Sequence, residues 1–216
     1  MIVPRTDRPQ LAGKLAEATP RTKTFSWADP RAIARAGHGL AGLDFLHALM
    51  AGEIPPPPAV ALLDIDLVAA EAGRVTMSMR AQEYLYNPLG SVHGGLIATL
   101  MDSVMGCAVH STLPLGRGFT TLEIKVNYLR AVTEASGLVT AVGRVVHSGR
   151  QQAVAEASLT DEASRLCATA TTTCLLFDLP DQDRARPSVG SQRTMEREPK
   201  PQDDRRWDAS DWMKPC

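Results

Sequence analysis

The chain has 216 residues, 44% of them hydrophobic, and a formal net charge of -1 at pH 7. That is enough apolar material for one core with extra segments, and a charge too balanced for a nucleic-acid or anionic-membrane binder. Four cysteines, Cys107, Cys167, Cys174 and Cys216, contain no C-x-x-C pair and are too sparse for a disulfide framework, so they read as reduced, cytosolic thiols.

Residues 1–28 are polar, lack the apolar core of a signal peptide and are expected to form a flexible extension. One helix is expected from about Asp29 to Ala51, with Asp29-Pro30 as cap and first turn and Leu40, Leu43, Leu46, His47 and Met50 at helical spacing. The run Ile54 to Pro58 forbids helix and predicts an extended connector, so 29–58 reads as a helix plus connector. A domain over 59–179 follows. Leu63, Ile65 and Leu67, then Val75, Met77, Met79 and Ala81, alternate with polar residues and predict two strands joined at Glu71-Ala72-Gly73. From Gly94 to about His110 the pattern turns helical and apolar nearly all round, which predicts a buried helix interrupted by Asp102.

Four more strands are expected. In the first, Leu122, Ile124, Val126 and Tyr128 share a face. The others run near Leu138–Val146, Ala153–Leu159 and Leu166–Cys174. The turns between them, Thr133–Gly137, Ser148–Arg150 and Asp161–Arg165, are short and predict antiparallel neighbours. Residues 180–216 are charged, nearly free of aliphatic residues, and expected to be a disordered tail carrying Trp207 and Trp212. A curved antiparallel β-sheet wrapped around one long central helix, with an N-terminal helix added, satisfies this order: an α+β fold. Its edge strands need protection, which favours a homo-oligomer.

The chemistry concentrates in Asn87-Pro88-Leu89-Gly90-Ser91-Val92-His93-Gly94-Gly95 and Asp102. The first N–H groups of a helix lack intrahelical acceptors and sit at its positive end, so Gly94 and Gly95 can receive a carbonyl oxygen that gains negative charge. A carboxylate in so apolar a helix is costly without a task, and Asp102 fits a nucleophile or a general base. Eight positions of helix separate Gly94 from Asp102 by about 12 Å along the axis. A reacting group must lie within about 3–3.5 Å of its target, so one subunit does not place both on one bond. A two-fold pair with antiparallel central helices does, giving two composite sites.

The N-P-x-G-x-V-H-G-G run with Asp nine residues after the His resembles the PaaI-type (phenylacetic-acid-degradation) acyl-CoA thioesterases of the hotdog fold. The similarity continues through Thr120–Arg130, Val146–Arg150 and Ala153–Ala157, and spans roughly residues 40–178. The resemblance implies hydrolysis of acyl-CoA without metal or organic cofactor, by a dimer or a dimer of dimers. It implies Asp102 as the catalytic carboxylate, and Gly94 with Gly95 as the oxyanion turn. Asn87 would orient carbonyl or water, and Thr121 would position water. Gly149 and Arg150 would lie near the CoA phosphates. The long N-terminal extension and the charged tail depart from the minimal family pattern.

Blander roles compete at each position. His93 reads as a hydrogen bonder fixing the helix entry at least as well as a catalyst. Asn87 also suits a turn before Pro88, Thr121 a strand, and Arg150 a hairpin charge. Cys107 and His110 form C-x-x-H without a second pair, which argues against zinc. Two other functions share the fold: an acyl-thioester hydratase or dehydratase, and a non-catalytic acyl-CoA-binding or assembly module.

Overall fold

A computed structural model describes residues 20–179. The segments 1–19 and 180–216, with Trp207, Trp212 and Cys216, lie outside the described residues. Residues 20–29 run beside the later 83–85 turn: Arg21 pairs with Glu83, and Lys23 with Asp64 and the Tyr84 hydroxyl.

The single helix expected from Asp29 to Ala51 is two. Helix α1 (Pro30–His38) begins at the expected cap, where the Asp29 carboxylate accepts from Arg31 N at 2.9 Å. It stops at Gly39, and α2 (Gly42–Met50) starts anew. The break has a packing cause. Gly42 N donates to Leu113 O at 3.0 Å, and a Cβ on Gly42 would stand 1.8 Å from His110 O. The chain must turn to lay Gly42 on that carbonyl, while the apolar spacing runs on across the turn unaltered. The connector is also shorter than expected. Pro58 opens a third helix, α3 (Pro58–Leu62), because proline suits a first helical turn. Leu63 therefore caps α3 and does not begin a strand.

Helix α4 (Gly94–His110) has the expected bounds. Six strands form one antiparallel sheet: β1 (Ile65–Glu71), β2 (Arg74–Arg80), β3 (Arg117–Tyr128), β4 (Leu138–Ser148), β5 (Gln152–Thr160) and β6 (Leu166–Asp178). Their spatial order is β1-β2-β4-β5-β6-β3. The β4–β5 and β5–β6 hairpins are as expected. The expected β3–β4 neighbourhood is not: β3 pairs with β6 at one edge, and β4 pairs with β2. The connection runs from Leu129 to Gly137 and crosses the start of α4. There Val92 N donates to Val132 O at 2.8 Å and Ala81 N to Gly137 O at 3.0 Å.

The sheet wraps α4. Leu100, Met101, Val104 and Met105 are fully buried against Val75, Met79, Val139, Ala153, Ala155 and Leu159. The small inward residues allow close approach: a Cβ on Gly143 of β4 would stand 2.6 Å from Val104 O.

The expected face of β3 needs one correction that matters for the site. Thr121 lies opposite Cys174 and Glu123 opposite Thr173, so Leu122 is the extra residue of a β-bulge. Leu122 is accordingly 53% exposed. Thr121 takes the inward place that strict alternation gives to Leu122, and Ile124 and Val126 keep theirs against the core.

Candidate active site

The loop before α4 is tied by its own asparagine. Asn87 Oδ1 accepts from Leu89 N at 2.8 Å and Ser91 N at 3.4 Å, and its Nδ2 donates to Ser91 Oγ at 3.2 Å. Gly90 sits at φ +81°, a turn conformation that favours glycine. The loop returns so that His93 N donates to Leu85 O at 2.8 Å.

His93 caps α4 by accepting from Gly95 N at 3.0 Å on Nδ1. An N–H donor there requires the lone pair on Nδ1, so the neutral ring carries its proton on Nε2. Leu96 N and Ile97 N both donate to His93 O, at 2.9 and 3.3 Å. Of these first groups, Gly94 N–H has no acceptor among the described residues. It stands at the positive end of a 17-residue helix. Sequence reasoning paired Gly95 with Gly94 at the oxyanion turn, but here the Gly95 N–H is occupied by His93.

Tyr128 completes this end. Its hydroxyl donates to Gly94 O at 2.7 Å, and a Cβ on Gly94 would lie 3.2 Å from its Cζ. The ring braces the Gly94 peptide from β3. No role was assigned to Tyr128 from sequence, although its inward place on the strand was legible. Asn87, Gly94, Ile97, Tyr128 and Val132 line a 300 Å³ cavity here.

Asp102 is half-buried, two turns further along α4, and accepts from Thr121 Oγ1 at 2.9 Å. The Leu122 bulge makes that bond possible by aiming Thr121 at the helix. The regular helix keeps Asp102 and Gly94 about 12 Å apart along the axis. So the structure brings Asp102 to Thr121, gathers Asn87, His93, Gly94 and Gly95 at the helix start, and leaves the groups apart within one chain.

Gly149 and Arg150 are in neither group. They form the β4–β5 turn, where Gly149 N donates to Gln152 O at 2.8 Å and Arg150 O accepts from Arg117 Nη2 at 2.6 Å. Arg117 begins β3 and Tyr128 ends it, so this turn and Gly94 occupy opposite ends of the sheet. Arg150 is exposed.

Cys107 and His110 do not resemble a metal site: among the described residues no three His, Cys, Asp or Glu side chains gather to hold an ion. Burial, with the Asp102 charge added, pushes the Cys107 thiol up to about 12, which makes it a poor nucleophile. Burial lowers the pKa of His110, whose ring lies between Phe45 and Phe119 at 5.5 and 5.6 Å.

Residues 89–168 match the thioesterase superfamily. The chain is 28% identical over 104 residues to the 1,4-dihydroxy-2-naphthoyl-CoA hydrolase of Listeria monocytogenes, a match covering 48% of this chain and 83% of that one. A conserved protein of Pseudomonas aeruginosa of known structure is 34% identical, with a TM-score of 0.53 over 56% of this chain and 95% of that one. A phenylacetic acid degradation-related protein from Ralstonia eutropha is 29% identical, with a TM-score of 0.56 over 60% of this chain and 98% of that one.

Proposed function

Since this chain belongs to the thioesterase superfamily and is a hotdog-fold thioesterase of the PaaI-like kind, we propose that it hydrolyses acyl-CoA to a free acid and CoA at two composite sites of a homodimer. The observation that carries this is the Gly94 N–H, unshared at the positive end of α4, set about 12 Å along the helix from a carboxylate held by Thr121. Two copies with antiparallel α4 helices put the Gly94 of one beside the Asp102 of the other.

In that arrangement the thioester oxygen rests on Gly94 N–H. Asp102 either attacks the carbonyl carbon or takes a proton from an attacking water. The carbonyl oxygen gains charge as the tetrahedral species forms, and the amide hydrogen stabilises it. Collapse breaks the C–S bond, and CoA leaves as its thiol after gaining a proton. When Asp102 is the nucleophile, water then hydrolyses the acyl-enzyme anhydride. Thr121 orients the carboxylate in both versions. His93 fixes the turn, Asn87 shapes the loop beside the carbonyl site, and Gly149 with Arg150 meets the CoA phosphates. A hydratase reading is weaker, because His93 Nδ1 is spent on the helix cap and the ring stands at the helix start, away from Asp102. The unpaired cysteines among the described residues, Cys107, Cys167 and Cys174, suit a reducing compartment, and the cytoplasm is the proposed location.

The test is CoA release from a panel of acyl-CoAs. Asp102→Asn is expected to lower kcat/KM by about 10²–10⁴ while the fold is kept. CoA release unchanged by the substitution excludes Asp102 from the mechanism. Tight acyl-CoA binding with no release by the natural chain favours the non-catalytic binding module instead.

A further inference from the structure

The 83–85 turn faces two ways. Toward the site, Leu85 O accepts from His93 N at 2.8 Å, and Leu85 itself is buried. Tyr86 and Val92 form an isolated antiparallel bridge, so the turn anchors both ends of the loop that delivers His93 to α4. Away from the site, the turn is held by residue 23. Lys23 Nζ donates to the Tyr84 hydroxyl at 2.7 Å and to the Asp64 carboxylate, and it stands 4.3 Å from the centre of the Tyr84 ring. The Tyr84 hydroxyl in turn donates to Asp64 Oδ2 at 2.9 Å.

This cluster ties together three distant stretches of chain: residues 20–29, the joint between α3 and β1, and the 83–85 turn. Asp64 sits in that joint at φ +50°, a left-handed conformation uncommon for side chains other than those of Asn and Asp. The Lys23 side chain is 24% exposed, against 76% for Arg21. A carboxylate, a hydroxyl and an aromatic face therefore surround the Lys23 ammonium and fix it. The neighbouring Arg21–Glu83 pair is open to water and contributes little.

We propose that Lys23 is a positioning residue for the Gly94 N–H, acting through Tyr84, Leu85 and His93; the inference rests on the thioesterase reading above. Lys23 fixes Tyr84, and the next residue, Leu85, carries the carbonyl that fixes His93 N. His93 then caps α4 by accepting from Gly95 N at 3.0 Å, which leaves the Gly94 N–H free for a substrate oxygen. A turn that drifts carries His93 with it and changes the aim of that donor. An N–H aimed at a developing oxyanion counts most in the transition state, so loosened aim lowers kcat and leaves substrate binding nearly unchanged. Lys23 itself does not line the Gly94 cavity. Two bonds from the 129–137 connection also hold the loop: Val92 N donates to Val132 O at 2.8 Å, and Glu134 N to the Tyr86 hydroxyl at 2.6 Å. Loss of Lys23 therefore loosens the loop without unfolding it.

The test uses the full chain. Lys23→Met keeps the stem and removes the charge, whereas Lys23→Arg keeps a cation able to bond Asp64 and stack on Tyr84. Arg144→Met, which breaks the Arg144–Glu156 pair on the outer face of the sheet, is the control for losing a surface cation. Two readouts are taken: CoA release at saturating acyl-CoA, and hydrogen exchange of the backbone amides of residues 84–97. Lys23→Met is expected to lower kcat about three- to tenfold with KM within about twofold, through loss of a cation–π contact and charge-assisted hydrogen bonds. Exchange over 84–97 is expected to speed up about three- to tenfold, while that of β4, β5 and β6 stays unchanged. Lys23→Arg is expected to restore most of both, and Arg144→Met to alter neither. A folded Lys23→Met chain with natural kcat, or with natural exchange over 84–97, overturns the inference. So does an equal loss in Arg144→Met, or a Lys23→Arg chain as slow as Lys23→Met. Faster exchange in Lys23→Met, in a protein whose natural chain releases no CoA, supports the brace and overturns the hydrolase reading, so the two failures are distinct.

Discussion

Thr121 and Leu122 exchange the places that alternation along β3 assigns them. A one-residue bulge turns the hydroxyl toward Asp102 and leaves the leucine exposed. Alternation contains no sign of an extra residue, so this part of the site was not legible from periodicity. The Asp102 carboxylate was legible, because a lone acid in an apolar helix is conspicuous, and so was the glycine turn. Tyr128 was placed on the right face, but its bond to Gly94 O depends on where the strand ends over the helix. Thr121→Val is expected to lower kcat about tenfold or more with little change in KM, because it removes a hydrogen bond to a charged group worth about 1.5–3 kcal/mol; Thr121→Ser should restore most of the rate. Equal rates for the three chains contradict a positioning role. Gly94→Pro removes one N–H at a helix position that accepts proline, after a His93 already at φ -59°, ψ 130°; because its Cβ would also stand 3.2 Å from Tyr128 Cζ, Gly94→Ala, which adds the same Cβ and keeps the N–H, is the control. Gly94→Pro is expected to keep the circular dichroism of the natural chain and lose about 10²–10³ in kcat.

Helices and strands were read well where one local period governed them and poorly where distant contacts did. Helix α4 and the β4–β5–β6 meander came out as expected. The α1–α2 break did not, because its cause is a carbonyl of α4 more than sixty residues away along the chain. The β3–β4 crossing did not either: a short turn says nothing about the helix its connection must pass. The same close contacts set the cost of crowding these elements. Gly143→Ala would press a methyl into the α4 backbone and is expected to cost about 1–3 kcal/mol in chemical denaturation. Gly39→Ala, with nothing within 4 Å, should stay within about 0.5 kcal/mol. A Gly143→Ala chain of natural stability contradicts the close seating of α4 on β4. The buried His110 ring adds a pH dependence. Its pKa is lowered in the folded chain, so protonation favours unfolding. The stability it contributes is present above the ordinary value of 6.5 and is lost as pH falls from there toward the folded pKa. Melting temperatures measured from pH 7.5 down to 5 should fall less steeply in His110→Phe than in the natural chain; parallel slopes contradict this.

The whole molecule, as one chain, holds two halves of a site that cannot meet. One edge strand, β1, lies under α2 and α3, whereas the other, β3, bears exposed Leu122 and the Tyr128 that braces Gly94. An uncovered edge of this length invites pairing with a second copy, and the proposed two-fold dimer uses it. The direct test is subunit complementation between Asp102→Asn and Gly94→Pro chains, each inactive alone. In a mixed dimer one site combines the intact Gly94 of the first chain with the intact Asp102 of the second, and the other site has neither. Co-refolding the two in equal amounts is predicted to restore about one quarter of natural activity, since about half the dimers are mixed and each has one working site. A mixture as inactive as its parents, with mixed dimers shown to form, would contradict a site shared between copies.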